Sequence, residues 1–207
     1  MKIHDISTLT NPEIPIWPNT PGFKIWKSLD QELGDEVTSS TIEMDVHCGT
    51  HIDAPLHFIK GAESATQIDL TKCIGNASVV DFRGINRITE DLLEKRVPSQ
   101  TDRLLLKTNN SSLFPRSKFN AEFSALTEGG ASWVADKKMK LIGIDYLSIQ
   151  LFDGTADTHL VLMKAGVVIL ESLNLAQIDE GEYELICLPL LLEGSEAAPA
   201  RAILIKN

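Results

Sequence analysis

Two stretches of this 207-residue chain, Val167 to Leu170 and Leu188 to Leu192, carry four or more apolar residues almost without interruption. Such runs suit strands covered on both faces, because a strand with one wet face alternates instead. Shorter apolar runs rich in β-branched residues recur at Ser78 to Phe82, Arg103 to Thr108, Lys140 to Asp145, Gly166 to Glu171, Tyr183 to Leu192 and Arg201 to Lys206. They read as strands. Helical spacing appears between them, at Glu90 to Arg96, at Thr127 to Lys138 and at Thr158 to Lys164. Thr89 can cap the first of these before Pro98 stops it, and Gly166 is placed to end the last in a left-handed cap. The order is that of an α/β or α+β protein in which strand dominates. At roughly 100 to 200 residues per domain, residues 1–207 are expected to form one domain.

With 43% apolar and 23% charged residues, the balance is that of a globular protein. The formal net charge of −10 repels polyanions, which argues against nucleic acid as a partner. Met1-Lys2-Ile3-His4-Asp5-Ile6 lacks the layout of a secretion signal, and no stretch approaches the roughly 20 apolar residues of a membrane helix. A cytoplasmic location away from membranes is the expectation. Cys48, Cys73 and Cys187 are widely spaced and odd in number, as free thiols in a reducing compartment would be.

Three of the five histidines and a carboxylate fall within the eleven residues His47-Cys-Gly-Thr-His51-Ile-Asp53-Ala-Pro-Leu-His57. Neutral imidazole and carboxylate are ligands that zinc and manganese accept, so the cluster reads as a metal site. His47, His51 and Asp53 alternate, yet a straight strand would hold the Cα atoms of His47 and His51 about 13 Å apart, too far to share an ion. The backbone must bend, and Gly49 is the residue that permits it. A helix would also align the two histidines, but Gly49, Thr50, Ile52 and Pro55 make a poor one. Cys48 falls on the opposite face and reads as a small buried hydrophobe. His57, beyond Pro55, is open to three readings: a further ligand, a neighbouring base or a structural histidine.

Two distant residues are candidates to complete the shell. His159 lies at the start of a helical segment and Glu171 at the end of the next strand, so a helix-turn-strand unit would bring them together, although spacing alone leaves that pairing open. His4, beside Asp5 in an edge-strand pattern, reads as structural. Trp17 stands in a stiff loop with Pro12, Pro15, Pro18 and Pro21, and reads either as a pocket wall or as cover for the core or a subunit contact. No Gly-x-Ser-x-Gly elbow is present, and Gly129-Gly130 reads as a turn or a close-packed spot.

The pattern His47-x-Gly49-Thr50-His51-x-Asp53-x-Pro55-x-His57 resembles the signature of the metal-dependent cyclase and kynurenine formamidase family, which includes isatin hydrolases. The likeness extends to Ile16-Trp17-Pro18, Gly143-Ile144-Asp145, His159 with Glu171, Tyr183-Glu184-Leu185-Ile186 and Leu188-Pro189-Leu190. It departs at Glu196-Ala197-Ala198-Pro199, where members often carry Asp-Gly-Ala-Pro, and over Ser148 to Asp157. The resemblance implies a compact, β-rich α/β swivelling β/β/α domain, a mixed sheet with flanking helices, assembled as a homodimer or homotetramer.

It further implies two divalent ions per subunit, zinc first and manganese as the alternative. His47, His51 and Asp53 would hold one and His159 the other, with Asp53 and Glu171 bridging and His57 as the catalytic acid/base. The reaction implied is hydrolysis of a carbon–nitrogen bond by metal-activated water in a small-molecule amide, above all an aryl formamide such as N-formylkynurenine, with Trp17 against the aryl ring. Lactam or lactone opening, as in isatin hydrolysis, or a cyclising dehydration would use the same residues. A non-catalytic metal- or ligand-binding module is the alternative of another class.

Overall fold

The structure, a computed structural model, describes residues 1–114 and 118–206. In chain order its elements are β1 (Lys2–Asp5), β2 (Phe23–Leu29), β3 (Ser39–Met44), β4 (His51–Asp53), α1 (Leu70–Cys73), β5 (Ile74–Asp81), β6 (Arg87–Ile88), α2 (Glu90–Arg96) and β7 (Arg103–Lys107). There follow β8 (Ala125–Leu126), α3 (Glu128–Asp136), β9 (Leu141–Ile144), α4 (Asp157–Lys164), β10 (Val168–Glu171), β11 (Gly181–Pro189) and β12 (Ala197–Lys206).

Eight strands form one mixed sheet in the order β1-β12-β11-β5-β7-β9-β10-β4, and β4 pairs again with β12, so seven of the strands close on themselves. β5, β7, β9 and β10 run parallel, while β4, β11 and β12 pair antiparallel with their neighbours. Closure follows from the length of β12, whose first residues pair with β4 and whose remainder pairs with β11. The expected mixed sheet with flanking helices is therefore present.

Side-chain alternation divides the core into two. Leu105, Leu141, Val168, Leu170, Leu185 and Leu204 point into the closed sheet, while Leu104, Leu106, Ile142, Ile144 and Ile169 point outward under the helices. β7, β9 and β10 are thus buried on both faces, as their continuous apolar sequence requires. Leu188 to Leu192 is a different case. β11 ends at Pro189 with alternating burial, and Leu190 and Leu191 are 55% and 82% exposed, so this run is not a doubly covered strand.

Local signals mostly act as read. Thr127 accepts the Gly130 N–H at 3.1 Å and caps α3, whereas Thr89 stands at the cap of α2 without a side-chain bond. Gly129 and Gly130 lie inside α3 at a close-packed spot, where a Cβ on Gly130 would fall 2.7 Å from the Ile88 carbonyl oxygen. Gly166, with φ of 71°, ends α4 and turns the chain into β10. α4 packs against α3 and over β10, and this placement fixes the position of His159. No helix among the described residues is long and apolar enough to cross a membrane.

Candidate metal centre

The short strand β4 organises the site. Its middle residue, Ile52, enters the inner core, so His51 and Asp53 face outward. On one side β10 sets Glu171 opposite His51; on the other β12 sets Ala197 opposite Asp53. His159 comes from α4 above them. Its Nε2 lies 3.2 Å from Glu171 Oε1 and 3.6 Å from Asp53 Oδ2.

His47 reaches the same place through a turn. Its N–H donates to Asp45 Oδ1 at 2.9 Å, the Cys48 N–H donates to the Asp45 carbonyl at 3.0 Å, and Gly49 takes φ of 76°. A Cβ on Gly49 would lie 2.4 Å from Thr10 Oγ1, so the position excludes a side chain as well as favouring positive φ. The bend demanded by the spacing is therefore real, and it sets His47 Nδ1 3.1 Å from Asp53 Oδ1, with His51 Nε2 3.3 Å from the same oxygen.

Hydroxyls lock the two ligand-bearing segments together. Thr8 and Thr50 each donate to the Ser172 carbonyl at 2.6 Å, and Thr50 Oγ1 accepts the Thr8 N–H at 2.8 Å. Ser172, directly after Glu171, adopts φ of 57°, a left-handed conformation costing about 1–2 kcal/mol in a residue with a Cβ. Ser172, Thr8 and Gln150 had no signal in the sequence, because their roles arise from tertiary contact. Gln150 Oε1 lies 3.1 Å from His159 Nδ1, and the Ile149 N–H donates to Glu171 Oε1 at 2.7 Å.

Two overlapping groups, His47–His51–Asp53 and Asp53–His159–Glu171, bring their donor atoms within 4.8 Å of one another and could each hold a metal ion. Separations of 3.1 to 3.6 Å match the edge of a donor tetrahedron, about 3.3–3.6 Å for metal–ligand bonds of about 2.0–2.2 Å. His51 Nε2 and both Asp53 oxygens are buried yet make no hydrogen bond among the described residues. Orphaned donors of this kind are costly in a protein interior unless a cation faces them. His51 Nδ1 donates to the Gly49 carbonyl at 2.8 Å, which aims Nε2 at the cluster.

The electrostatics point the same way. Burial opposes a charge on His51, but Asp53 and Glu171 override it and raise its pKa to about 10. Burial also opposes ionisation of Asp53, yet His47 and His51 hold its carboxyl well below the usual range. Glu171 is pushed up by burial and by Asp53, and brought below its ordinary value by His159 and His51.

A cavity of about 400 Å³ opens onto both groups, a size for a small molecule. Phe58 stacks on His159 with ring centroids 4.5 Å apart, and Trp17 also lines the cavity, edge-on to Phe119 and Phe152 at 5.2 and 5.5 Å. His57, in the turn Pro55–His57, lies outside both groups with its ring 4.2 Å from that of His47. Cys48 lines the cavity, also outside both groups, with its thiol pushed up to about 11 by burial and by Asp45. His4 packs edge-on to Tyr183 in β1, away from the site.

A closed mixed sheet bearing a buried imidazole and carboxylate centre at the floor of a small cavity is an architecture with known relatives. The sequence profile of the Cyclase family matches residues 4–150, and the chain belongs to that family. It is 34% identical over 201 residues to a kynurenine formamidase of Bacillus thuringiensis (strain Al Hakam), covering 97% of this chain and 95% of the relative. Its fold matches that of a potential metal-dependent hydrolase with cyclase activity, with a TM-score of 0.85, 35% identity, and 98% and 96% of the two chains covered. Isatin hydrolase A from Ralstonia solanacearum shares the fold at a TM-score of 0.84 and 20% identity, with 99% and 92% covered.

Proposed function

We propose that this protein is a metal-dependent amidohydrolase that cleaves the carbon–nitrogen bond of an aryl formamide such as N-formylkynurenine. The observation that carries this reading is Asp53, whose two oxygens face separate histidine groups at the floor of an aromatic-walled cavity. His47, His51 and Asp53 hold one divalent ion, and Asp53, His159 and Glu171 a second; zinc is the first choice and manganese the alternative. When bound, such ions polarise a carbonyl oxygen and bring the pKa of water toward about 7. Trp17 supports the aryl ring. His57 takes one proton of the attacking water and returns it to the leaving nitrogen, so that amide and water become amine and formic acid, which releases its own proton to solvent as formate. The kinship with a full-length formamidase supports this choice of substrate.

Metal-reconstituted protein assayed side by side on N-formylkynurenine and isatin is expected to release formate from the first far faster than it opens the second. Preference for isatin would make the protein a lactam hydrolase, and turnover of neither, with metal bound, would leave a binding module.

We further propose a cytoplasmic homo-oligomer, in keeping with three free thiols. The hairpin β2–β3 leaves Ile25, Trp26, Leu29 and Ile42 exposed, and a two-stranded hairpin is marginal by itself in water. A second copy covering these residues would stabilise it. Trp26→Glu combined with Ile42→Glu is expected to shift the mass in light scattering from oligomer to monomer; a wild-type protein already monomeric at about 100 μM would overturn this assembly.

A further inference from the structure

The three histidines of the centre differ in what faces the ring nitrogen turned away from it. His51 Nδ1 has the Gly49 carbonyl at 2.8 Å, and His159 Nδ1 has the Gln150 amide oxygen at 3.1 Å. Both partners are neutral. His47 points Nδ1 at Asp53, and its Nε2 is buried without a hydrogen bond, 3.7 Å from Glu196 Oε1. That gap exceeds an ordinary N–H···O contact of about 2.9 Å by less than one ångström.

Glu196 is held at one end and free at the other. Its carbonyl accepts the Ala54 N–H at 2.9 Å, and the next residue, Ala197, pairs with Asp53, which ties the Glu196 backbone to the strand that bears the centre. Its side chain is 44% exposed, and three rotatable bonds carry the carboxylate, so closing the gap requires only a rotamer adjustment. His47 is also the wettest of the three histidines, with its side chain 22% exposed against 0% for His51 and 5% for His159. An anionic partner there fixes ring and tautomer and makes the imidazole a more basic donor.

We propose that Glu196 is a positioning residue: its carboxylate accepts the Nε2–H of His47 and thereby aims Nδ1 into the His47–His51–Asp53 group. This rests on reading His47 as a metal ligand and adds to that reading the residue that holds it. The contribution is to metal affinity, exerted through His47, without direct contact to the ion.

The test is metal titration of the metal-free wild type, Glu196→Ala and Glu196→Gln with Zn²⁺ against a chelator, with bound equivalents counted at saturation. Glu196→Ala should weaken one equivalent by about 10- to 100-fold, the usual effect of losing such a partner. Glu196→Gln, which keeps an acceptor oxygen and loses the charge, should weaken it by less. Both variants should bind as many ions at saturation as the wild type, and their metal-free melting temperatures should not move. In a His47→Ala background, Glu196→Ala should add no further loss. Wild-type affinity in Glu196→Ala overturns the proposal, as does an additive loss in the double variant or a missing equivalent at saturation, which would make Glu196 a ligand. A wild type that takes up no cation would instead sink the functional reading, and this proposal with it.

Discussion

If the two proposed cations are bound as argued, Asp53→Asn is expected to strip the protein of both while leaving the chain folded. In the native site one oxygen of Asp53 lies 3.1 and 3.3 Å from His47 and His51, and the other lies 3.6 Å from His159. The amide replaces this doubly facing anion with one neutral oxygen and one NH₂, and the NH₂ turns its hydrogens toward imidazole nitrogens that need a cation. Because Asp53 belongs to both groups, neither keeps its full set of donors. Affinity should fall by more than the roughly 100-fold seen when only an outer partner is lost.

Melting gives an independent reading. At a free cation concentration of about 100 times Kd, each bound ion stabilises the native state by about 2.7 kcal/mol, which for a chain of this length raises the midpoint by roughly 5–10 °C per ion. The wild type should show that shift and Asp53→Asn should not. Near-equal volume leaves no cavity, so the far-UV spectrum should be unchanged. An Asp53→Asn protein that retains two tight equivalents would mean that the centre is held by other residues.

How much of this was legible in the sequence depends on where each signal resides. β7, β9 and β10 declare themselves because burial on both faces demands continuous apolar residues, and burial is what the sequence records; of β5 only the buried second half, from Ala77, is marked in this way. The hairpin β2–β3 escapes for the opposite reason: nearly every residue in it is exposed, so no alternation marks it. The first half of β12, Ala197 to Ala200, is made of small residues that carry little β signal, yet it closes the sheet. Leu190 and Leu191 mislead in the other direction, apolar in type but beyond the end of β11.

The centre divides in the same way. His47, His51, Asp53 and His57 are close in sequence, and Gly49 announces the bend that brings the first three together. The contact of His159 with Glu171 needs the fold, since it depends on α4 crossing β10. Gln150, Thr8 and Ser172 are ordinary residue types whose meaning comes wholly from what they touch.

His57→Ala should separate chemistry from metal binding. The ring of His57 stands 4.2 Å from that of His47 and 6.3 Å from that of His159, at the cavity and outside both ligand groups. Burial pushes its pKa below the ordinary 6.5, with His47 and His159 acting in the same sense against Asp53 and Glu171. The imidazole is therefore neutral at pH 7 and able to accept a proton, and it stays so until the pH falls below that ordinary value. Its loss should leave the bound equivalents untouched and lower kcat by about 10²- to 10⁴-fold, the usual worth of a general acid/base, with little change in KM. Added imidazole, small enough for the space left by the side chain, should restore part of the rate. His51→Ala is the contrast, because there the metal itself should be lost. Equal metal loss in the two variants would assign His57 to the ligand shell, and a kcat within a few-fold of wild type would mean that the proton travels by another route.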